Sequence, residues 1–271
     1  MSPRKLLRSI GLEAGLLLIG IPVLLWTLIP IYHMFLFAIS PKDAAFSGQL
    51  WPAQPTLRNF EIVFAQKHHF LNHFWLQMFN SLIISIGTAA ITLFVATAAA
   101  FAISRLRMTG GRLVMNLALL TYFIPAAFLA VPMYKTMGMY GLLNNDWSLV
   151  LAMATIASPY AIWILRQASN KLPVELDEAA MMDGRSRLGA FFFVVAPLAA
   201  PGIGATAVLC FIMSWNEFLY AFILVAFEGR PLTVGIPGLV TPHGTLWGQV
   251  AAVAIVATLP IVLFTFLVQK H

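Results

Sequence analysis

The chain has 271 residues, of which 60% are hydrophobic and only 10% charged, with a formal net charge of +6 and one cysteine, Cys210. Soluble domains run nearer ~45–50% apolar and ~25% charged, so this chain has too few polar side chains to cover a water-facing surface. The composition excludes a soluble enzyme, a disordered chain and a disulfide scaffold, and surplus Lys and Arg in such a chain mark cytoplasmic loops rather than nucleic-acid binding.

A spanning helix needs ~20 apolar residues with few or no charges. Six stretches between consecutive Asp, Glu, Lys or Arg residues meet or approach that length: 14–41 (28 residues), 68–104 (37), 113–134 (22), 147–165 (19), 188–216 (29) and 231–269 (39). His68, His69 and His73 trim the second to about 79–102, and Gly and Pro residues between 235 and 244 trim the last to about 246–268. The run 218–227 has 10 residues, too few to cross alone. The expectation is an all-α polytopic membrane protein with six transmembrane helices, residues 1–271 forming a single transmembrane domain.

Arg4, Lys5 and Arg8 precede the first apolar run. That run is long and no small-x-small cleavage site follows it, so an uncleaved span is preferred to a signal peptide. With a cytoplasmic N-terminus, one side holds Arg4, Lys5, Arg8, Arg105, Arg107, Arg112, Arg166, Lys171, Arg185, Arg187 and Lys270, a total of 11. The other holds Lys42, Arg58, Lys67, Lys135 and Arg230, a total of 5, which favours both termini in the cytoplasm. The longest loop, from Lys42 to about residue 78, contains Pro52 and Pro55 and has room for a short helix on the outer surface, but not for a folded domain.

Catalytic signals are poor. No Lys follows a Gly, so the phosphate-binding P-loop is missing, and there is no G-x-S-x-G or H-E-x-x-H. His69 and His73, four apart, would share a helix face beside His68, which suits either a metal or an interfacial cluster outside the membrane.

The loop at 166–190, on the expected cytoplasmic side, carries more information. Pro173 suits a first helical turn, and Glu175, Asp177 and Glu178 then lie near the positive end of the dipole. Gly184 suits the left-handed position that ends a helix, and Ser186 can cap the next one. The pattern predicts a helix over 173–183. Ala179 and Ala180 are small enough for another surface to approach, and Glu178 and Asp183 offer carboxylates to a basic partner. An ordinary solvated connection would read the same way.

Glu178-Ala179-Ala180, Gly184 after a further three residues, and Val194-x-Ala196-Pro197 resemble the EAA loop of bacterial ABC importer permeases, with Val194 and Ala196 where that pattern has Ile and Leu. The resemblance covers nearly the whole chain and is to the maltose-type sugar permeases. Asn80-Ser81-Leu82, Pro132-Met133-Tyr134, Gly141-Leu142-Leu143-Asn144, Ser214-Trp215-Asn216-Glu217-Phe218 and Pro231-Leu232-Thr233-Val234-Gly235 also carry it.

The resemblance implies a type I, MetI-like permease fold in a bacterial or archaeal plasma membrane. It implies a second permease subunit as heterodimer partner, two cytoplasmic ATPase subunits, and an extracytoplasmic binding protein that delivers a sugar. Glu178, Ala179, Ala180, Asp183 and Gly184 would couple the chain to an ATPase. The chain itself would hold no cofactor, ATP and Mg being bound by the ATPase partners, and it would not be an enzyme.

Polar side chains within spans tend to face the protein interior or a wet path. Asn80, Ser81 and Ser85 have spacings compatible with one helix face, and Ser214, Asn216 and Glu217 sit at the far end of the fifth span. They are the candidates for the sugar path, with helix–helix hydrogen bonding and interfacial anchoring as the alternative. Pro125, Pro132, Pro159, Pro197 and Pro260 lie in or near spans and can kink them. The rival functions are an ABC permease for a polyamine, phosphate ester or ion, a stand-alone secondary transporter, and more distantly a structural membrane protein.

Overall fold

The long apolar runs are helical, the local solution that satisfies backbone N–H and C=O groups where lipid offers them no water. The computed structural model describes residues 3–41, 46–106, 108–225, 229–241 and 244–269. Lys42, Arg107 and Lys270 of the charge count lie outside the described residues, as do the side chains of Arg4, Lys5 and Arg8.

Four helices are each long and apolar enough to cross a bilayer: α1 (Pro3–Ile39), with its apolar part at Leu17–Ile39, α3 (Phe74–Ser104), α6 (Asp146–Asn170) and α13 (Trp247–Val268). Two further expected spans are bent. The helix α4 (Gly111–Leu120) continues through a turn at Thr121–Phe123 and meets α5 (Ala126–Met139) at 105°. The short α8 (Arg187–Ala190), a π-helical turn at Phe191–Val195 and α9 (Ala196–Leu198) meet α10 (Ala200–Trp215) at 74°. Counting each bent pair as one gives six spans.

The breaks have local causes. Pro125 lacks an N–H and forces Ile124 into extended backbone, with ψ at 119°. Pro197 lies just after the π turn and Pro201 opens α10. Pro132, Pro159 and Pro260 sit inside the continuous helices α5, α6 and α13.

The described chain forms two compact units. The first holds residues 1–72 and 238–256. Within it α2 (Arg58–Phe64) is the short helix expected in the long loop. The Asn59 amide donates to the carbonyls of Ala38 (2.9 Å) and Ser40 (3.1 Å), tying α2 to the end of α1. A Cβ at Gly248 would lie 2.6–2.7 Å from that amide, so glycine lets the start of α13 pass it. Phe37, Phe46 and Trp247 form an aromatic cluster there.

The second unit holds residues 73–237 and 257–271. In it α3 and α6 run parallel: a Cβ at Gly87 would touch Val150 at 3.3 Å, and one helix end further on the Ser104 and Ser169 hydroxyls are 2.9 Å apart. The core beside them is Ile84, Leu149, Met153, Tyr220 and Leu224, the last two from α11 (Leu219–Leu224). Tyr220 buries its ring and donates its hydroxyl to the carbonyl of Ala126 at 2.7 Å, so a polar tip is satisfied inside an apolar core. Glycine also lets α10 pack closely. A Cβ at Gly202 would sit 2.7 Å from Ala168 Cβ, and one at Gly204 2.9 Å from Val268.

Candidate functional site

The segment after α6 folds as a helix, α7, at Glu175–Met182, two residues later than Pro173 suggested. Its residues are strong helix formers, and Glu175, Asp177 and Glu178 oppose the positive N-terminal dipole. Gly184 ends it at φ +86°. The Gly184 N–H donates to Met181 O (3.0 Å) and the Arg185 N–H to Ala180 O (3.1 Å), the paired bonds of a Schellman motif. A Cβ at Gly184 would meet nothing within 4 Å, so glycine is required by the backbone angle and not by crowding. Ser186 then caps α8, its hydroxyl accepting the Gly189 N–H at 3.1 Å.

The five residues expected to couple this loop fall on two sides. Glu178, Ala179, Asp183 and Gly184 are exposed, whereas Ala180 is 6% exposed and packs inward. The two residues that fasten α7 were not singled out from the sequence. Arg105, the residue that closes α3, places its Nε 3.2 Å from Asp177 Oδ2, and both side chains are nearly buried. Arg105 Nη2 also donates to Ser169 O, in the last turn of α6, and to Leu172 O just beyond it, each at 3.0 Å. Asp177 and Arg105 are far apart in sequence, and nothing in the spacing pairs them. A groove of about 390 Å³ opens beside this joint, lined by Phe101, Arg105, Asp177, Glu178, Met181 and Arg187.

The other candidates lie on the opposite half of α3 and at the end of α10. Asn80, Ser81 and Ser85 are all buried on α3, and the same face continues to Thr88 and Thr92, a polar row at helical spacing that the sequence reading cut short. The Ser81 hydroxyl accepts the Leu232 N–H at 2.8 Å, at the start of α12 (Leu232–Gly235). Ser214 Oγ, buried on α10, lies 3.2 Å from Thr88 Oγ1. The Ser85 and Thr92 hydroxyls are buried without a hydrogen-bond partner among the described residues.

Glu217 Oε1 accepts the Tyr220 N–H at 2.9 Å and caps α11, while its carbonyl accepts the Thr233 hydroxyl at 2.7 Å. Asn216 is exposed and donates to Ile212 O within its own helix at 3.0 Å. Residues 232 and 233 therefore bring Ser81 and Glu217 to one place, and Ser214 joins the row on α3. Asn216 joins neither.

Aromatic side chains on α6 form a second feature not read from the sequence. Tyr160 and Trp163 stack at 6.0 Å and 15°, Tyr122 lies 6.2 Å from Tyr160, and the Tyr122 hydroxyl donates to Ile156 O at 2.7 Å. Of His68, His69 and His73, His68 caps the turn at His69–Leu71 by accepting the Phe70 N–H, and His73 precedes α3 without a side-chain cap. No group of three metal-ligating side chains occurs among the described residues.

A family model described as "binding-protein-dependent transport system inner membrane component" matches residues 96–271. The chain belongs to that family. It is a multispanning ABC transport permease subunit of the type I, MetI-like fold, the membrane component of a binding-protein-dependent system. The trehalose transport permease SugB of Mycobacterium tuberculosis is 32% identical over 91% of this chain and 89% of its own length. The trehalose/maltose transport permease MalG of Thermococcus litoralis is 30% identical over 98% of this chain and 95% of its own. A crystal structure of a bacterial ABC transporter involved in import of the acidic polysaccharide alginate has a chain that matches at TM-score 0.77 and 24% identity, covering 100% of this chain and 98% of that one, which establishes the shared fold.

Proposed function

We propose that this permease forms half of the pore of an ATP-driven sugar importer and that α7 is the peg through which an ATPase drives it. The carrying observation is the two-sided build of α7: Asp177 is held inside by Arg105 while Glu178, Ala179 and Asp183 stand exposed. A short, firmly attached helix with small and acidic residues outward can receive a basic surface and pass on a rigid-body displacement. ATP and Mg belong to two ATPase partners, since this chain has no P-loop lysine. A second permease subunit completes the pore as a heterodimer, and a binding protein delivers the sugar from outside. Membership of an inner-membrane transport family supports a bacterial or archaeal plasma membrane, and the positive-inside count supports both termini in the cytoplasm.

A sugar is the preferred cargo because relatives covering most of the chain are named for trehalose and maltose. The Tyr122, Tyr160 and Trp163 rings add the chemistry a sugar uses, an apolar ring face next to a hydroxyl. Of the path candidates Asn80, Ser81, Ser85, Ser214, Asn216 and Glu217, four are engaged in bonds within the chain, Ser81, Ser214, Asn216 and Glu217.

The test is ATP hydrolysis by the assembled complex in proteoliposomes with its binding protein, comparing trehalose, maltose, spermidine and glycerol 3-phosphate. Stimulation by trehalose or maltose is expected. Stimulation by the polyamine or the phosphate ester alone overturns the sugar assignment.

A further inference from the structure

We propose that Arg105 is the positioning residue that makes α7 and α3 move as one body, so that a push on the short helix is delivered along α3 to residues 231–235 at its far end. The proposal rests on the reading of α7 as the ATPase-docking peg.

The Arg105 guanidinium sits where three elements meet. It pairs with Asp177 of α7 at 3.2 Å, donates to one carbonyl in the last turn of α6 and one just beyond it, and its own backbone closes α3. Its side chain is 6% exposed and that of Asp177 13%. A largely buried ion pair resists separation, because either charge left alone would be uncompensated. The planar fork of arginine lets Nη2 hold the two carbonyls while Nε faces Asp177, an arrangement that a point-charge lysine does not make. Asp177 Oδ1 and Arg105 Nε are both buried with no hydrogen-bond partner among the described residues, so the hold on this carboxylate is the charge attraction between its other oxygen and the Arg105 guanidinium.

From that joint α3 runs 31 residues without a proline, about 46 Å at 1.5 Å per residue. The spans around it are broken or carry proline: α4–α5 at 105°, α9–α10 at 74°, α6 and α13 with Pro159 and Pro260. An uninterrupted helix is the stiffer path. At its other end Ser81 holds the Leu232 N–H, and the Gln77 side chain fills the space that a Cβ at Gly235 would need. The 231–235 segment therefore rides on α3, and Arg105 is where α3 takes up motion from below.

The experiment measures the distance between spin labels at Met182 of α7, 89% exposed, and Leu76 of α3, 54% exposed. The full chain is used, with Cys210 replaced by Ala, in the complex purified through a tag on the ATPase, without nucleotide and with ATP plus vanadate. With Arg105 present the separation is expected to be equal in the two states. In R105Q and in D177N it is expected to change on trapping by on the order of 2–5 Å, the scale of helix shifts in switching proteins, with the ATPase still co-purifying. R105K, which keeps a charge within reach of Asp177, should change less than R105Q.

If R105Q does not assemble, D177N carries the comparison. A separation that changes with Arg105 present, or that stays constant in the assembled variants, overturns the proposal alone. Failure of the ATPase to co-purify with the chain carrying Arg105 overturns the docking reading, and the proposal with it.

Discussion

The hydroxyl of Ser81, near the start of α3, accepts the backbone N–H of Leu232, although the two are separated by most of the described chain. Both residues are buried, so this bond replaces water for an N–H at the first position of a short helix, where no intrahelical partner exists. Ser81→Ala should therefore destabilise the protein by about 1–3 kcal/mol, the penalty for a buried donor left unpaired. Thermal unfolding of the detergent-solubilised chain measures it. An unchanged midpoint would mean that the bond contributes nothing.

Gly184 makes a different kind of demand. The space around it is open, and its φ of +86° alone disfavours most side chains. Gly184→Val should loosen the end of α7 at a cost of at least roughly 1–2 kcal/mol, whereas Gly184→Asn, which tolerates left-handed backbone, should behave nearly as the parent. Hydrogen exchange at Ala180 to Arg185 separates the two variants. Equal exchange in Val and Asn variants would remove the backbone argument.

Glu178 is exposed and outside the Arg105–Asp177 joint. Glu178→Lys should lower transport at least about fivefold and reduce the ATPase that co-purifies, with the amount of inserted permease unchanged. Parent-like uptake with parent-like co-purification would remove Glu178 from the docking surface.

Close packing at the end of the α6–α10 contact makes a paired prediction. A methyl added at Gly202 would lie 2.7 Å from the Ala168 methyl. Gly202→Ala alone should cost about 1–3 kcal/mol by overpacking. Adding Ala168→Gly should return part of it, giving a coupling of about 0.5–3 kcal/mol in the double-mutant cycle. Additive effects would show that the helices separate at no cost.

The polar row on α3 shows how far the sequence could be followed. Asn80, Ser81 and Ser85 share a buried face, as their spacing predicts, and that face extends to Thr88 and Thr92. Periodicity says that such residues point the same way, but not what lies opposite. The partners, Leu232 and Ser214, come from distant parts of the chain. Glu217 illustrates the same limit. An acid at the end of an apolar run invites a role in a path, and its contact turns out to be the Tyr220 N–H three residues on.

The sequence by itself determined the membrane character, the six apolar stretches, the prolines that bend two of them, and the local chemistry of α7 with its Gly184 stop and Ser186 cap. Those features depend on composition, helical period and backbone angle, which act over a few residues. The tertiary structure alone decided that Asp177 turns inward to Arg105 while Glu178 stays exposed, and which hydroxyls on α3 find partners. Such contacts join segments with no local relation, and are set by how whole helices pack.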